Sequence, residues 1–198
     1  MGVVKLSTAG ILDYSKTSNF LSGNAPLSLG SFDLLETTTL ATSASSVTFS
    51  GLGAYSDYKH LQIRMVSRAT DAASADSLYI NLNNDSGNNY SYHRLLGTGT
   101  GVASSAATSL PFAFLGIHPA NSLAAGVFGA HVVDILDAFS SSKNSTIRSL
   151  GGVADSGFNA IGLYSGLWMN SNAVTQIGLT TSGTAFTIGS RFSLYGVK

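Results

Sequence analysis

Two carboxylates in an apolar stretch, Asp134 and Asp137, are the acids whose spacing comes closest to a catalytic pair. Paired carboxylates cleave glycosidic bonds, one acting as the acid and the other as the nucleophile or base. Two acids three residues apart more often cap a turn or face a partner. The chain has no G-x-S-x-G elbow, no H-E-x-x-H motif and no P-loop, since the glycine-rich segment 97–101 lacks a lysine. We therefore expect no enzymatic activity.

Oxygen ligands for a cation are concentrated at Asn83, Asn84 and Asp85. Such oxygens suit Ca²⁺, but the ligand spacing and the distal glutamate of an EF-hand loop are absent, so we predict a plain turn. The four histidines are not paired at metal-ligand spacing and are predicted to be isolated and hydrogen-bonded: His60, His93, His118 and His131. The sequence thus predicts neither a metal nor a cofactor.

Aromatic rings could bind a sugar, because a ring face stacks on a pyranose while neighbouring Asn and Asp bind its hydroxyls. The rings available for this are Tyr55, Tyr58, Tyr90, Tyr92, Tyr164 and Trp168. Burial in a core is the expected fate of most such rings. The candidates for glycan contact are Tyr90, Tyr92 and Trp168.

The elements that carry these residues are indicated by composition. The chain of 198 residues has one glutamate against 31 serines, 17 threonines and 22 glycines. Exposed positions of helices are commonly occupied by glutamate, so a chain with one glutamate is expected to have few exposed helices. Its surface should consist of strands and turns. Charged residues make up 10% of the chain, against about 25% in an ordinary soluble domain. Such a surface either packs against something or is kept uncharged for another reason.

The charge balance argues against two classes of partner. The formal net charge is zero, so the protein has no net electrostatic attraction to nucleic acid or to an anionic membrane. The mean hydropathy is +0.24, but the sequence contains no run of 18 apolar residues, the length that is needed to span a bilayer. The first residues lack the charged start and apolar run of a signal peptide, and cysteine is absent. We expect a soluble protein made in a reducing cytoplasm.

Alternation of apolar and polar residues predicts strands along most of the chain. Within Lys59–Arg68, for example, Leu61, Ile63 and Met65 share one face. The predicted strands are Phe32–Thr39, Ser46–Phe49, Lys59–Arg68, Ser77–Asn83, Tyr90–Leu96, Leu110–Ile117, Gly129–Leu136, Thr146–Val153, Ile161–Met169, Val174–Thr180 and Arg191–Val197. Short strands between Gly/Ser/Asn turns indicate an all-β fold, an antiparallel β-sandwich of jelly-roll type. The best helix candidate, Val132–Phe139, reads equally well as a strand entering a turn.

Residues 1–30 show no sustained period of 2 or 3.6 and are predicted to form an extended N-terminal arm ahead of a sandwich domain at 31–198. The arm is too apolar for a free tail, so we expect it to make assembly contacts on a neighbouring surface. Its apolar residues are Val3, Val4, Leu6, Ile11, Leu12, Phe20 and Leu21. The alternative is that they cover the core of their own domain.

Three motifs follow one another along Leu35–Lys198: YKHLQIR from Tyr58, N-x-D-x-G-x-N-Y-x-Y-H-x-L from Asn83, and F-S-L-Y-G from Phe192. With the segments around them, they resemble a family of tailed-bacteriophage virion proteins, usually labelled structural, tail-fibre or head-decoration proteins. The interior from 104 to 172 matches more loosely. The resemblance implies a β-sandwich on the virion surface that is usually homo-oligomeric.

On this basis we expect a non-enzymatic bacteriophage structural protein, made in the host cytoplasm, that decorates or cements the capsid. Its expected partners are itself, as a homotrimer, and the major capsid protein or another virion protein. The alternative is a tail-fibre or receptor-binding module that recognises a bacterial surface polysaccharide, with a host surface glycan as the partner.

Overall fold

The computed structural model describes residues 31–198, and this part of the chain is all-β. A single 3-10 turn at Leu52–Tyr55 interrupts a series of twelve strands. The strands are β1 (Phe32–Thr39), β2 (Ser46–Ser50), β3 (His60–Ser67), β4 (Ala75–Leu82), β5 (Tyr90–Thr98), β6 (Val102–Leu110), β7 (Ala113–Pro119), β8 (Gly129–Leu136), β9 (Ser145–Asp155), β10 (Phe158–Trp168), β11 (Gln176–Thr181) and β12 (Arg191–Val197). The arm predicted at residues 1–30 lies outside the described residues.

Two antiparallel sheets form the sandwich. The larger has eight strands in the order β1-β12-β3-β8-β9-β10-β5-β6, and the smaller has four in the order β2-β11-β4-β7. At one edge of each sheet, a strand from the end of the chain therefore lies between two strands from its beginning, as in β1-β12-β3 and β2-β11-β4. The predicted all-β, jelly-roll-like sandwich is confirmed. The residues from Leu34 to Lys198 form one compact unit.

Period-2 alternation explains which side chains fill the space between the sheets. On β3, Leu61, Ile63 and Met65 are buried, as the sequence predicted. On β4, the alternate positions Leu78 and Ile80 are fully buried as well. On these two strands, single-residue alternation thus directs one row of side chains into the core.

The two sheets approach closely where β7 lies against β9 and β10. Glycines make this approach possible, because the His131 ring lies against Gly151 of β9 and a Cβ at Gly151 would overlap that ring. From the other sheet, a Cβ at Gly116 of β7 would lie 2.6 Å from His131 Nε2. Gly116 has a φ of 149°, which also favours glycine. The two sheets therefore pack closely around the His131 ring.

The segment proposed as helix or strand, Val132–Phe139, contains the second half of β8 and then a turn. Asp137 in this turn has a φ of 50°. Within residues 31–198, no helix has the length and apolar character needed to cross a membrane.

Candidate functional site

The turn after β4 is built around the carboxylate of Asp85. This carboxylate accepts hydrogen bonds from Asn89 Nδ2 and Trp168 Nε1, each at 2.8 Å, from the Gly87 backbone N–H at 2.9 Å and from Asn170 Nδ2 at 3.4 Å. The bonds from Asn89 and Trp168 contribute most to stabilising the ionised form, and the pKa of Asp85 falls to about 2. Donors thus surround the carboxylate that we considered as a Ca²⁺ ligand.

Asn83 ties the same turn to the segment before β11. Asn83 and Asn84 have left-handed φ values of 55° and 54°, a conformation that asparagine tolerates well. The Asn83 Oδ1 accepts bonds from the backbone N–H groups of Thr175 at 2.7 Å and Gln176 at 3.1 Å. These are the contacts of a structural turn. Among the described residues, no group of three or more His, Asp or Glu is arranged to hold a metal ion.

Asp134 and Asp137 are each paired with a different cation. Asp134 Oδ2 lies 2.7 Å from Arg148 Nη2, and its Oδ1 accepts a bond from the Gln62 amide at 2.8 Å. Asp137 Oδ2 lies 2.7 Å from Lys143 Nζ, and this contact lowers the pKa of Asp137. The two carboxylates therefore belong to separate ion pairs.

Two of the four histidines are buried between the sheets. His118 Nδ1 lies 3.0 Å from Ser67 Oγ, while His118 Nε2 and both ring nitrogens of His131 have no hydrogen-bond partner within residues 31–198. Burial lowers the pKa of both rings to about 4, and the neighbouring His118 adds to the effect on His131. The prediction of a hydrogen-bonded histidine describes His60, whose Nδ1 accepts from the Asp137 backbone N–H at 2.9 Å, but is wrong for His131.

Two of the three rings predicted to contact a glycan are in the core. Tyr90 and Trp168 are fully buried and stacked, with centroids 6.3 Å apart. The Tyr90 hydroxyl is bonded to the Leu82 backbone, and burial raises the pKa of Tyr90. The half-buried Tyr92 packs against Phe114 at 5.3 Å. This corrects the glycan prediction for Tyr90 and Trp168, because a sugar needs an exposed ring face.

The outer face of the eight-stranded sheet carries three rows of side chains that cross neighbouring strands. The strand register places in the first row Arg191, Val66, Ala130, Gly152, Ile161, Gly97 and Val102. The second row contains Ser193, Arg64, Val132, Leu150, Leu163, Leu95 and Ser104. The third row contains Tyr195, Gln62, Asp134, Arg148, Ser165, His93 and Ala106. All three rows run from β12 to β6.

The first two rows are unusually apolar for a sheet face that no other element of the described chain covers. Among residues 31–198, eleven large hydrophobic side chains are exposed, and seven of them lie in these two rows. They are Val66, Leu95, Val102, Val132, Leu150, Ile161 and Leu163. Exposed apolar side chains scattered singly need no explanation, but a contiguous set marks an interaction surface.

An open groove of about 980 Å³ crosses the first two rows, and we call it the outer-face groove. It forms because the first row has little side-chain volume: Gly152 and Gly97 flank Ile161, and Ala130 follows Gly152. A Cβ at Gly152 would overlap the backbone carbonyl of Ala160. The depression is therefore fixed by the backbone and cannot be filled by a larger residue.

The third row is polar and internally paired. Gln62 and Asp134 are bonded at 2.8 Å, and Asp134 continues to Arg148. Gln62 Oε1 accepts from Arg64 Nε at 2.9 Å, and the Arg64 guanidinium lies over the Tyr195 ring at 4.8 Å. This network holds Arg64 at the border between the polar row and the groove.

The apolar outer face of the large sheet was not predicted from the sequence. The available signal was a strand with apolar residues on both of its faces. In β8, for example, Val132 is exposed between the buried His131 and Val133. Strands with two apolar faces have near-continuous hydrophobic sequences. Which neighbouring strands place those residues side by side follows from the register, and the sequence does not show the register.

Comparison with known proteins identifies no family for this chain. No protein-family model matches the chain, and no curated protein matches its sequence. Galectin LEC-6 from Caenorhabditis elegans is similar in structure, with 12% identity, coverage of 82% of this chain and 95% of that chain, and a TM-score of 0.31. The CBM40 of the Ruminococcus gnavus IT-sialidase, solved bound to α2,3 sialyllactose, has 16% identity, coverage of 84% and 95%, and a TM-score of 0.29. These likenesses concern the β fold alone.

Proposed function

We propose that this protein is a non-enzymatic structural subunit that assembles with further copies through the outer face of its eight-stranded sheet. The observation that carries the proposal is the concentration of exposed aliphatic side chains in the first two rows. Contact with another subunit removes this apolar surface from water, which is the main driving force of protein association.

The free energy gained by burying these side chains can be compared with the cost of association. Burying the exposed part of one such aliphatic side chain contributes about 1 kcal/mol. The seven side chains together then supply roughly 7 kcal/mol. Association costs about 4–15 kcal/mol in lost freedom. The face is therefore strong enough to contribute to an interface but needs additional contacts to give a stable assembly.

We further propose that the assembly belongs to a bacteriophage particle, where the protein decorates or cements the capsid as a trimer. The motifs at Tyr58, Asn83 and Phe192 that resemble phage virion proteins support this setting. The low charge content supports it too, because interface cores are depleted of charged residues. The expected second partner is the major capsid protein or another virion protein.

The test is to make the outer face polar and measure assembly. The double variant Ile161→Asn/Leu163→Asn changes two exposed neighbours and should leave the core intact. We expect its association constant to fall by 10-fold or more, about 1.4 kcal/mol, in sedimentation velocity over a concentration series. Ile188→Asn is the matched control, because Ile188 is 57% exposed but lies outside the three rows.

Two results would overturn the proposal. One is a wild-type protein that stays monomeric at high micromolar concentration and does not bind capsids stripped of it. The other is a double variant that assembles as well as Ile188→Asn does. If a labelled antibody against the protein binds tail tips instead of heads, the protein is a tail component and not a capsid component.

A further inference from the structure

The outer-face groove has a positive charge at one end. Arg191 begins the first row on β12, and Arg64 is its neighbour in the second row. Arg191 is exposed and takes part in none of the ion pairs seen within residues 31–198. The described residues that line the groove include no aspartate or glutamate. The groove therefore favours an occupant that brings its own carboxylate.

The rest of the groove favours aliphatic side chains. Val132, Leu150 and Ile161 provide its exposed apolar surface, and Thr98 and Asn159 line it with polar groups near β5 and β10. The lining extends over six neighbouring strands, from β12 to β5. Five strand spacings amount to about 24 Å, which matches about seven residues of extended chain. The shape suits a short extended segment with an acidic residue.

The chain itself contains such a segment, outside the part that the structure describes. Residues 9–15 read AGILDYS, and Asp13 is the one carboxylate among residues 1–30. In an extended segment, Ile11 and Asp13 face the same side, because alternate side chains do. One side of the segment can therefore supply both groups that the groove favours.

We propose that the outer-face groove of one copy binds residues 9–15 of a second copy, with Ile11 on the apolar surface around Ile161 and Asp13 paired with Arg191. This inference rests on the proposed function, for which it names the additional contact. A segment that inserts into the next copy makes a head-to-tail contact, and such contacts close into rings when the rotation allows. A trimer is one such ring.

The absence of cysteine allows a direct test by disulfide trapping in the full-length chain. Ile11→Cys protein and Leu150→Cys protein, carrying tags of different mass, are mixed, allowed to exchange and oxidised. We expect a disulfide-linked heterodimer on a non-reducing gel. Thr146→Cys, on the outer face of β9 but outside the groove lining, replaces Leu150→Cys as the control and should give little heterodimer.

A charge exchange tests the acidic contact independently. Asp13→Arg and Arg191→Asp should each weaken association about 10-fold, and the two changes together should restore most of the loss. Asp57→Arg, at an exposed aspartate elsewhere on the surface, is the control and should have no such effect. Rescue by the double change would not follow from a general loss of stability.

Other outcomes overturn the inference in distinguishable ways. When both cysteines are placed in one chain, a disulfide within that chain shows that the groove takes its own segment and not that of a second copy. Absence of trapping, while Ile161→Asn/Leu163→Asn still prevents assembly, refutes the segment and leaves the proposed function standing. Absence of both effects overturns both.

Discussion

At the residue scale, the buried pair His118 and His131 is the feature most sensitive to conditions. Both rings are held neutral between the sheets, and three of their four nitrogens have no hydrogen-bond partner in the described part of the chain. A protonated ring in this position would be a buried charge without a counter-ion, which is costly. The fold therefore depends on these two side chains staying uncharged.

Stability should accordingly decrease in mild acid. The pKa of each ring is about 4 in the folded protein against an ordinary value of 6.5, so between these values the unfolded chain binds more protons. The free energy of unfolding is then highest above pH 6.5 and falls as pH decreases towards 4, by about 2 kcal/mol for one ring at pH 5. Urea unfolding across this range measures the slope. His131→Phe should flatten it, whereas His93→Gln, on the exposed third row, should not.

At the element scale, the contact between β7 and β9 depends on glycine. Gly151 faces the His131 ring within the large sheet, and Gly116 approaches the same ring from the small sheet. Core packing is dense enough that one extra methyl group is felt. The spacing of the two sheets at this point is thus set by two residues without side chains.

Gly151→Ala should destabilise the protein by about 1–3 kcal/mol, because its methyl group would overlap the His131 ring. Gly178→Ala is the matched control in β11, where the nearest atom to an added Cβ is the Asn81 carbonyl oxygen at 3.8 Å. Equilibrium urea unfolding of both variants measures the difference. Equal midpoints would show that the sheets can move apart at little cost.

Eleven of the twelve strands could be predicted from sequence, and three of them, β1, β8 and β12, with the observed boundaries. These strands contain β-branched or large apolar residues in alternation, which is the signal of a half-buried strand. The sequence of β6, VASSAATSL, lacks that signal because it consists mostly of Ser and Ala. β6 lies at the edge of the large sheet. Propensity is weakest at such positions, where pairing with β5 decides the conformation.

The candidate site was less predictable than the strands. The aromatic residues Tyr90 and Trp168 suggested a glycan contact, but their size makes them core residues. The outer face depends on side chains from different strands meeting in rows, as Leu150 meets Val132 and Leu163. Only the register of the strands shows this, and a register cannot be read from one strand's own sequence.

At the scale of the whole molecule, the described residues contain a continuous hydrophobic core. Within residues 31–198, the buried hydrophobic cluster extends from Val47 to Leu194 and draws on both sheets. Because the contacts that we propose for assembly lie on the outer face of the large sheet, we expect folding and assembly to be separable by truncation.

Deleting residues 1–30 should leave a folded protein that no longer assembles. The shortened chain keeps the twelve strands described between residues 31 and 198 and should show cooperative thermal unfolding by circular dichroism, with sedimentation at the mass of a monomer. A shortened chain that aggregates or unfolds would contradict this, and it would show that Val3, Ile11 and the other apolar residues of the arm belong to their own domain's core.

The strand order also has a consequence for synthesis on the ribosome. Among the described strands, β1 and β2 are made first, and each lies at an edge of its sheet beside one of the two strands made last, β12 and β11. At ordinary elongation rates the roughly 150 residues between β1 and β12 take about 8–30 s to translate. During that time β1 lacks its neighbour β12, and a strand in a nascent chain without its sheet partner is prone to aggregation. This strand carries Glu36, the single glutamate of the chain, together with Asp33, and charges within an unpaired strand act as gatekeepers against mispairing.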